Sequence, residues 1–269
     1  MKLKVYHINA FTKRLTGGNP ACVIRLDKWL PDSTMLAIAK ENAVAETAFF
    51  VELEDHIHLR WFTPDIEMDL CGHATLATAH CLYTHLQYKK NVIHFETLSG
   101  RLRVYCEEGF YRMQFPSREG VPAVLPKAIA KALNIIPKEV YKSRDYLLVY
   151  ASQTDIESIE IERSIFDKIN LDPGGVIVTA PGTTHDFVSR YFTPQATILE
   201  DPVTGSAHCT LIPYWSKKLQ KKEMNALQIS KRGGQIGCVY NKNKVSVSGS
   251  AITYNESVLT VKIKKSHST

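Results

Sequence analysis

The chain has 269 residues, of which 44% are hydrophobic and 22% are charged, and 33 Lys and Arg against 27 Asp and Glu give a net charge of +6. This composition excludes collagen-like and disordered chains, and no run approaches the ~18 apolar residues of a membrane span, so we expect a soluble, cytoplasmic protein with no membrane contact. The basic residues are dispersed, which argues against nucleic-acid binding and leaves a small anionic molecule as the expected partner.

The first half of the chain is predicted to be mostly strand. A short helix is predicted over residues 32–43, with Asp32 or Ser33 as its N-cap. A stronger helix is predicted over 73–87, where Ala and Leu cover several faces, as is typical of a buried helix. Stretches that alternate or run apolar, rich in β-branched and aromatic residues, predict strands at 2–9, 21–26, 47–53, 57–62, 92–97, 101–106 and 110–115.

The second half repeats this organisation. Its buried helix is predicted over 205–219, where Pro213 predicts a kink or an altered first turn. Many short strands around one buried helix indicate an α+β fold, with a nearly closed, barrel-like sheet around the helix in each half. The second-half strands are predicted near 146–151, 175–180, 186–192, 227–230, 236–240, 244–248, 251–254 and 257–263.

Three blocks of sequence recur in the same order in the two halves. RWFTP at 60–64 returns as RYFTP at 190–194, and GHAT at 72–75 is matched by GSAH at 205–208. Residues 100–105 have a looser echo at 234–240, and the offset grows along the chain, as small loop insertions would make it. We therefore predict two similar domains related by a pseudo-twofold axis, at 1–117 and 118–255, separated by Pro- and Gly-containing sequence.

A glycine begins each of the two buried helices, Gly72 in the first half and Gly205 in the second. The N-terminus of a helix exposes unpaired N–H groups and carries about half a positive charge, and glycine lets an anion approach those groups. In a twofold pair, both helix starts can face one cleft and bind a carboxylate there. The alternative is that each glycine only serves a tight turn.

Two acids break the symmetry of the repeat. Glu46 begins an apolar strand, and its counterpart in the second half, near Val176, is not acidic. A carboxylate in apolar surroundings suits general acid/base chemistry, although a strand-edge Glu that faces water is the alternative. Asp201 precedes the second helix, where it is either functional or a helix cap. His73, in the first turn of the first helix, is a candidate donor to substrate or a structural histidine.

Cys71 raises the question of a racemase that uses two thiols. Cofactor-independent amino-acid racemases place one cysteine at each of two symmetry-related helix starts, but here the second half has Asp201-Pro202 at that place, and Cys209 falls inside the helix. A two-thiol racemase is therefore disfavoured. The six cysteines include no CxxC pair, which predicts reduced thiols and no metal site.

Four motifs occur in order over nearly the whole chain. They are Gly18-Asn19-Pro20, Asn42-(x)3-Glu46-Thr47-Ala48-Phe49, Cys71-Gly72-His73-Ala74-Thr75 and Glu200-Asp201-Pro202-Val203-Thr204-Gly205-Ser206-Ala207. Together they closely resemble the PhzF-like family of phenazine-biosynthesis-type isomerases. That family is similar in fold to diaminopimelate epimerase, with two barrel-like domains and a site between them. The resemblance implies that the C-terminal strand, about 256–269, returns to the first domain.

The resemblance also implies roles for the candidate residues. Glu46 is the acid/base residue, assisted by His73 and Asp201, while Gly72, Gly205 and Ser206 hold the substrate carboxylate. The family acts without a cofactor and forms homodimers. Asn19, His7 and Tyr191 are expected to influence the choice of substrate, which the sequence does not name. Two alternatives stay open: an amino-acid epimerase in which Cys71 takes part, and a non-catalytic binding protein on the same fold.

Overall fold

Ten elements of the first half form most of a barrel and its surroundings. The computed structural model describes residues 1–107, 109–171 and 174–261. In chain order the first-half elements are β1 (Lys2–Ala10), β2 (Asn19–Leu26), α1 (Asp32–Asn42), β3 (Glu46–Glu52), β4 (Ile57–Phe62), β5 (Glu67–Met68), α2 (Gly72–His85), β6 (Val92–Thr97), β7 (Gly100–Glu107) and β8 (Phe110–Pro116).

The second half is built in the same way and ends in a strand that belongs to both halves. Its elements are β9 (Val121–Pro122), α3 (Lys127–Ala132), β10 (Glu139–Lys142), β11 (Tyr146–Val149), α4 (Gln153–Glu157), α5 (Arg163–Phe166), β12 (Val176–Pro181), β13 (Phe187–Phe192), α6 (His208–Leu219), β14 (Glu223–Gln228), β15 (Gly234–Asn241) and β16 (Lys244–Thr260).

The first barrel encloses α2. Its strands follow the order β1-β2-β3-β4-β6-β7-β8-β16, and β16 closes the ring by pairing with β1. Ten of the 14 residues of α2 are buried, and most of these are small, including Ala74, Ala77 and Ala79. Small side chains let the strands approach the helix on all sides, so its uniform burial follows from its composition.

The second half wraps β9 to β16 around α6, in the order β16-β15-β14-β13-β12-β11-β10-β9. Trp215 of α6 stacks on Phe187 at 5.5 Å between ring centroids, and its Nε1 donates to Thr179 Oγ1 at 2.9 Å. In the described part of the chain no pairing closes β9 onto another strand than β10. The predicted α+β fold, two similar halves with a buried helix in each, is confirmed.

The starts of two helices differ from the predictions. Pro31 is the N-cap of α1 and no side chain caps it, so the prediction of Asp32 or Ser33 as the cap was wrong. The regular part of α6 begins at His208, three residues later than predicted, because residues 205–207 form a tight turn. In that turn the His208 N–H bonds Gly205 O at 3.2 Å, three residues back.

Pro213 lies within α6 without ending it. A proline lacks the N–H that would bond the carbonyl four residues earlier, which here belongs to Cys209. The backbone N–H of Arg118, in the segment between the two halves, donates to that Cys209 oxygen at 2.9 Å. The inter-half segment therefore replaces the missing helical bond.

The sequence repeat corresponds to a structural repeat. β4 matches β13, α2 matches α6, and β7 matches β15. An ion pair recurs as well, since Arg60 donates two hydrogen bonds to Glu67 and Arg190 donates two to Glu200, at 2.6–3.0 Å. The shared detail supports duplication of one unit.

β16 pairs with β15 and β8 over its first part and with β1 over its second, where Lys2 lies opposite Thr260. The division into 1–117 and 118–255 stays a prediction, and residues 262–269 of the predicted C-terminal strand lie outside the described residues. Among the described residues, no helix combines the length and apolar character needed to cross a bilayer.

Candidate active site

A cavity of about 590 Å³ lies between the two halves. The first half lines it with residues 45, 46 and 63–73, and the second half lines it with Arg144, Tyr191, residues 193–198, Asp201 and residues 204–206, among others. Its volume is typical of small-molecule sites, which range over roughly 300–1,000 Å³. Both helix starts therefore face the same space.

The backbones of Gly72 and Gly205 touch at the floor of this cavity. A Cβ atom added to Gly72 would lie 3.1 Å from Gly205 Cα, and one added to Gly205 would lie 3.2 Å from Gly72 Cα. Neither glycine has a positive φ, so glycine is required at both positions by the close approach of the two backbones and not by a left-handed backbone conformation. Among the described residues, the N–H groups of Gly72, His73, Gly205 and Ser206 have no protein acceptor, which leaves four donors at the cavity.

Glu46 and His73 meet at this floor. Glu46 is the first residue of β3, paired with Ala21 in the parallel neighbour β2. His73 Nε2 and Glu46 Oε2 are 2.9 Å apart, with side chains 3% and 15% exposed. The two atoms are close but poorly aligned, so each is a buried polar atom without a hydrogen bond among the described residues. Both residues line the cavity, and the Glu46 side chain keeps 15% of its surface exposed.

A buried network holds Asp201 behind the same histidine. Asn19 Nδ2 donates to Asp201 Oδ1 at 2.6 Å and to Val203 O at 2.9 Å, and it lies 3.0 Å from His73 Nδ1. Thr204 Oγ1 donates to the other Asp201 oxygen at 2.6 Å. Because Asp201 and Val203 offer oxygen acceptors, the NH2 end of the Asn19 amide faces them, and its two hydrogens hold the Asp201 side chain while His73 lies in contact with the same nitrogen.

Burial and charge act in opposite directions on His73. Burial alone disfavours its positive form, but the neighbouring Cys71, when ionised, and the Glu46 carboxylate outweigh it and raise the pKa of His73 well above 6.5. Burial raises the pKa of the Cys71 thiol itself to about 11. Cys71 is therefore neutral near pH 7, which leaves the Glu46 carboxylate as the negative charge that favours the protonated form of His73 there.

Cys71 lies beside this pair, with its Sγ 3.6 Å from His73 Nδ1. The possible ligand atoms of Glu46, Cys71 and His73 lie within 4.8 Å of one another. Glu46 faces Nε2 of the imidazole and Cys71 faces Nδ1, however. One metal ion takes only one nitrogen of a histidine, so this arrangement fits an ion pair better than a metal site.

The structure brings most of the predicted site residues to the cavity: Glu46, Gly72, His73, Asp201, Gly205 and Ser206. Asn19 is fully buried behind His73 and Asp201 and is not among the cavity-lining residues. The sequence reasoning missed Gln228, which accepts from the Thr204 N–H at 2.8 Å and donates to Asp201 O at 2.7 Å. Gln228 lies in β14, and no sequence signal marks it.

Comparisons with known proteins show the family of this chain. The family model for phenazine biosynthesis-like proteins, PhzC-PhzF, matches residues 8–257. The chain belongs to this PhzF-like family. An uncharacterized isomerase of Pseudomonas aeruginosa is 42% identical over 96% of this chain and 99% of its own length. A PhzF-family crystal structure from Enterococcus faecalis superposes with a TM-score of 0.92 at 40% identity, over 97% of this chain and all of that one.

A more distant structure shares the fold of this PhzF-like protein. A probable proline racemase of Agrobacterium radiobacter is 8% identical, with a TM-score of 0.66 over 98% of this chain and 94% of its own. Similarity at that level extends to the fold alone. The names of the nearer relatives support an isomerase in general terms, and the roles of the individual site residues stay predictions.

The buried carboxylate of Asp201 leads to a prediction about pH. Burial raises its pKa from 3.8 to about 6, and Glu46 adds to this while His73 opposes it. Between pH 4 and 6 the folded protein holds a proton that the unfolded chain has released, so the free energy of unfolding falls as the pH rises through this window. For Asp201→Asn we expect this fall to shrink by about 1–3 kcal/mol in urea titrations at pH 4, 5, 6 and 7.

Asp27→Asn, at an exposed position of this PhzF-like chain, controls for the loss of one carboxylate. A difference between Asp201→Asn and the wild type that stays constant from pH 4 to 6 would contradict the prediction.

Proposed function

We propose that this protein isomerises a small carboxylate-bearing substrate by moving a proton with Glu46, without a cofactor. One observation carries the proposal: the Glu46 carboxylate lines the same cavity as four N–H groups from two helix starts that have no acceptor among the described residues. Amide donors suit an anion and a carboxylate can accept a proton, so the two features together match a carbon acid that bears a carboxylate.

The N–H groups bind and activate the substrate in this proposal. The substrate carboxylate accepts hydrogen bonds from Gly72, Gly205 and Ser206. Negative charge develops on that carboxylate, or on a π-system conjugated to it, when the neighbouring carbon loses its proton. Donors fixed by the backbone in a low-dielectric site stabilise that charge without reorganising, which is often the largest contribution to catalysis.

Glu46 carries the proton in both directions. Its carboxylate takes the proton from the carbon, and the C–H electron pair moves into the conjugated system of the substrate. The protonated Glu46 then returns the proton to another carbon, or to the other face of the same carbon, and is regenerated as a carboxylate. His73, 2.9 Å from Glu46, stabilises the carboxylate and donates to an amino or hydroxyl group of the substrate.

Asp201 and Asn19 support this centre. Asp201 lines the cavity, where its carboxylate suits a substrate ammonium group. Asn19 acts as a positioning residue in the proposal, because it contacts both His73 and Asp201 while it stays fully buried. Its substitution is therefore expected to act through the two side chains that it holds.

The two alternatives have less support. An epimerase that uses Cys71 as a base needs a thiolate, whereas burial keeps this thiol protonated, with a pKa of about 11. A non-catalytic binding protein uses the N–H groups but has no need for the Glu46–His73 pair, which buries two ionisable side chains at a free-energy cost.

Solvent exchange tests the proposal directly. In D2O, a panel of cyclic, unsaturated and acyclic amino acids is incubated with the protein, and deuterium on carbon is measured by mass spectrometry. We expect protein-dependent incorporation into at least one acid, unchanged after treatment with EDTA and retained by Cys71→Ser. Binding of an acid without any incorporation would favour the non-catalytic alternative, and loss of incorporation in Cys71→Ser would favour the epimerase.

A further inference from the structure

Arg144 lines the cavity from the second half of the chain. It lies in the turn between β10 and β11, outside every motif of the sequence repeat. The proton transfer proposed above makes no use of it. A cation in the wall of a small-molecule cavity therefore remains to be explained.

The Arg144 side chain is mostly but not fully buried, and it is only loosely paired. Its side chain is 16% exposed, and its Nε atom has no hydrogen-bond partner among the described residues. Its ion pair is with Asp69, at 3.7 Å between Nη2 and Oδ1, which is beyond hydrogen-bond distance. A guanidinium offers five N–H donors in a planar fork, and leaving buried donors unpaired costs free energy.

The acid next to Arg144 in sequence, Asp145, is bonded to other groups. Asp145 is buried, and its Oδ1 accepts from the Gly175 N–H at 2.8 Å and from the Tyr191 hydroxyl at 3.0 Å. No ion pair within 4.0 Å joins Asp145 to Arg144 among the described residues. Tyr191 is thereby fixed as part of the cavity wall, and among the described residues Asp69 is the ion-pair partner of Arg144.

Asp69 belongs to the other half of the molecule. It lies in the loop before α2, its side chain is 56% exposed, and its backbone oxygen accepts from Ser99 Oγ at 2.7 Å. The Arg144–Asp69 contact therefore crosses the mouth of the cavity. Because Asp69 is solvated and 3.7 Å away, a carboxylate inside the cavity can replace it at little cost in free energy.

We propose that Arg144 recognises a second acidic group of the substrate, so that this isomerase acts on a small dicarboxylate and not on a monocarboxylate. One carboxylate binds the N–H groups at Gly72 and Gly205, and the other binds the Arg144 guanidinium, which releases Asp69. The planar fork of arginine matches a carboxylate with two parallel hydrogen bonds. This inference rests on the proposed function for the position of the first carboxylate.

Binding measurements test the inference separately from catalysis. The probes are glutarate and adipate, each compared with its monoamide, which keeps one carboxylate and a similar length. Isothermal titration calorimetry gives the affinities for the wild type, Arg144→Met and Arg101→Met. Arg101 is an exposed, ion-paired arginine outside the cavity and serves as the matched control.

We expect the wild type and Arg101→Met to prefer a dicarboxylate over its monoamide by on the order of 10-fold to 100-fold, and Arg144→Met to lose that preference. Asp69→Asn gives a result of opposite sign: removal of the competing carboxylate tightens dicarboxylate binding by about 3-fold. Because Asp69 is exposed, this variant keeps the inference testable even if Arg144→Met does not fold.

Equal binding of the acids and their monoamides, or no binding of any dicarboxylate, would overturn the inference. An unchanged preference in Arg144→Met would overturn it too. These outcomes differ from failure of the proposed function, which is an absence of deuterium incorporation. A dicarboxylate preference that depends on Arg144 without any incorporation would support this inference and contradict the isomerase.

Discussion

Replacement of Glu46 by glutamine is expected to lower the rate of deuterium incorporation by about 10²- to 10⁴-fold, the usual contribution of a positioned acid/base group. Glutamine has nearly the same shape but cannot accept a proton from carbon. Its amide still reaches His73, which lies 2.9 Å from the carboxylate oxygen in the wild type. The affinity for the acid should therefore change much less than the rate of exchange.

The same strand provides the control for this variant. Glu52 is the last residue of β3, exposed and paired with Arg25 outside the cavity. Glu52→Gln removes the same charge from the same strand and is expected to exchange protons at the wild-type rate. A folded Glu46→Gln protein with wild-type exchange would contradict the assignment of Glu46, and an unfolded one would show that Glu46 serves the fold.

Introduction of a valine at Gly72 should reduce exchange by on the order of 100-fold, because small displacements of binding groups have effects of that size. The added Cβ would lie 3.1 Å from Gly205 Cα, tighter than nine in ten Cβ contacts, and the obstacle is backbone that cannot rotate away. The two helix starts must then move apart, and their N–H groups no longer point at one substrate carboxylate. Overpacking of this kind also lowers the free energy of unfolding by about 1–3 kcal/mol.

Thr84→Val is the matched control for Gly72→Val. It places valine in the same helix, at an exposed position far from the cavity lining. Exchange by mass spectrometry and urea unfolding are measured for both variants. An exchange rate in Gly72→Val within threefold of the wild-type rate would show that close contact between the two helix starts is not needed for proton transfer.

Much of the fold could be predicted from the sequence because it is repeated. The recurrence of RWFTP as RYFTP marks β4 and β13, which carry the equivalent Arg60 and Arg190. Each copy of the repeat contains one apolar helix. The predicted fold is therefore two similar halves, each with a buried helix. Of the six residues at the cavity, Gly72 and Gly205 were predicted from the helix starts, where backbone N–H groups are unpaired. Glu46 and Asp201 were predicted because they break the symmetry of the repeat, and Ser206 was implied by the family resemblance.

Other features depend on contacts between distant segments and have no local signal. Arg144 lies in a turn whose sequence resembles any charged surface loop, and only the packing of the two halves brings it to the cavity. Gln228 lies in an ordinary strand and acts through Thr204, 24 residues away in sequence. Asn19 was predicted to bind substrate, and that role stays untested, as do the homodimer and the small carboxylate partner.

The position of β16 has a consequence for how the protein folds during its synthesis. This one strand pairs with β8 and β15 near its start and with β1 near its end. One edge of β1 therefore has no partner strand until the end of β16 has been synthesised. During synthesis the amino-terminal barrel therefore stays an open sheet, with β1 and β8 as unpaired edges, until the carboxyl-terminal half has left the ribosome. Such long-range closure is slow and exposes edges that favour aggregation, so nascent chains should depend on chaperones more than their final stability suggests.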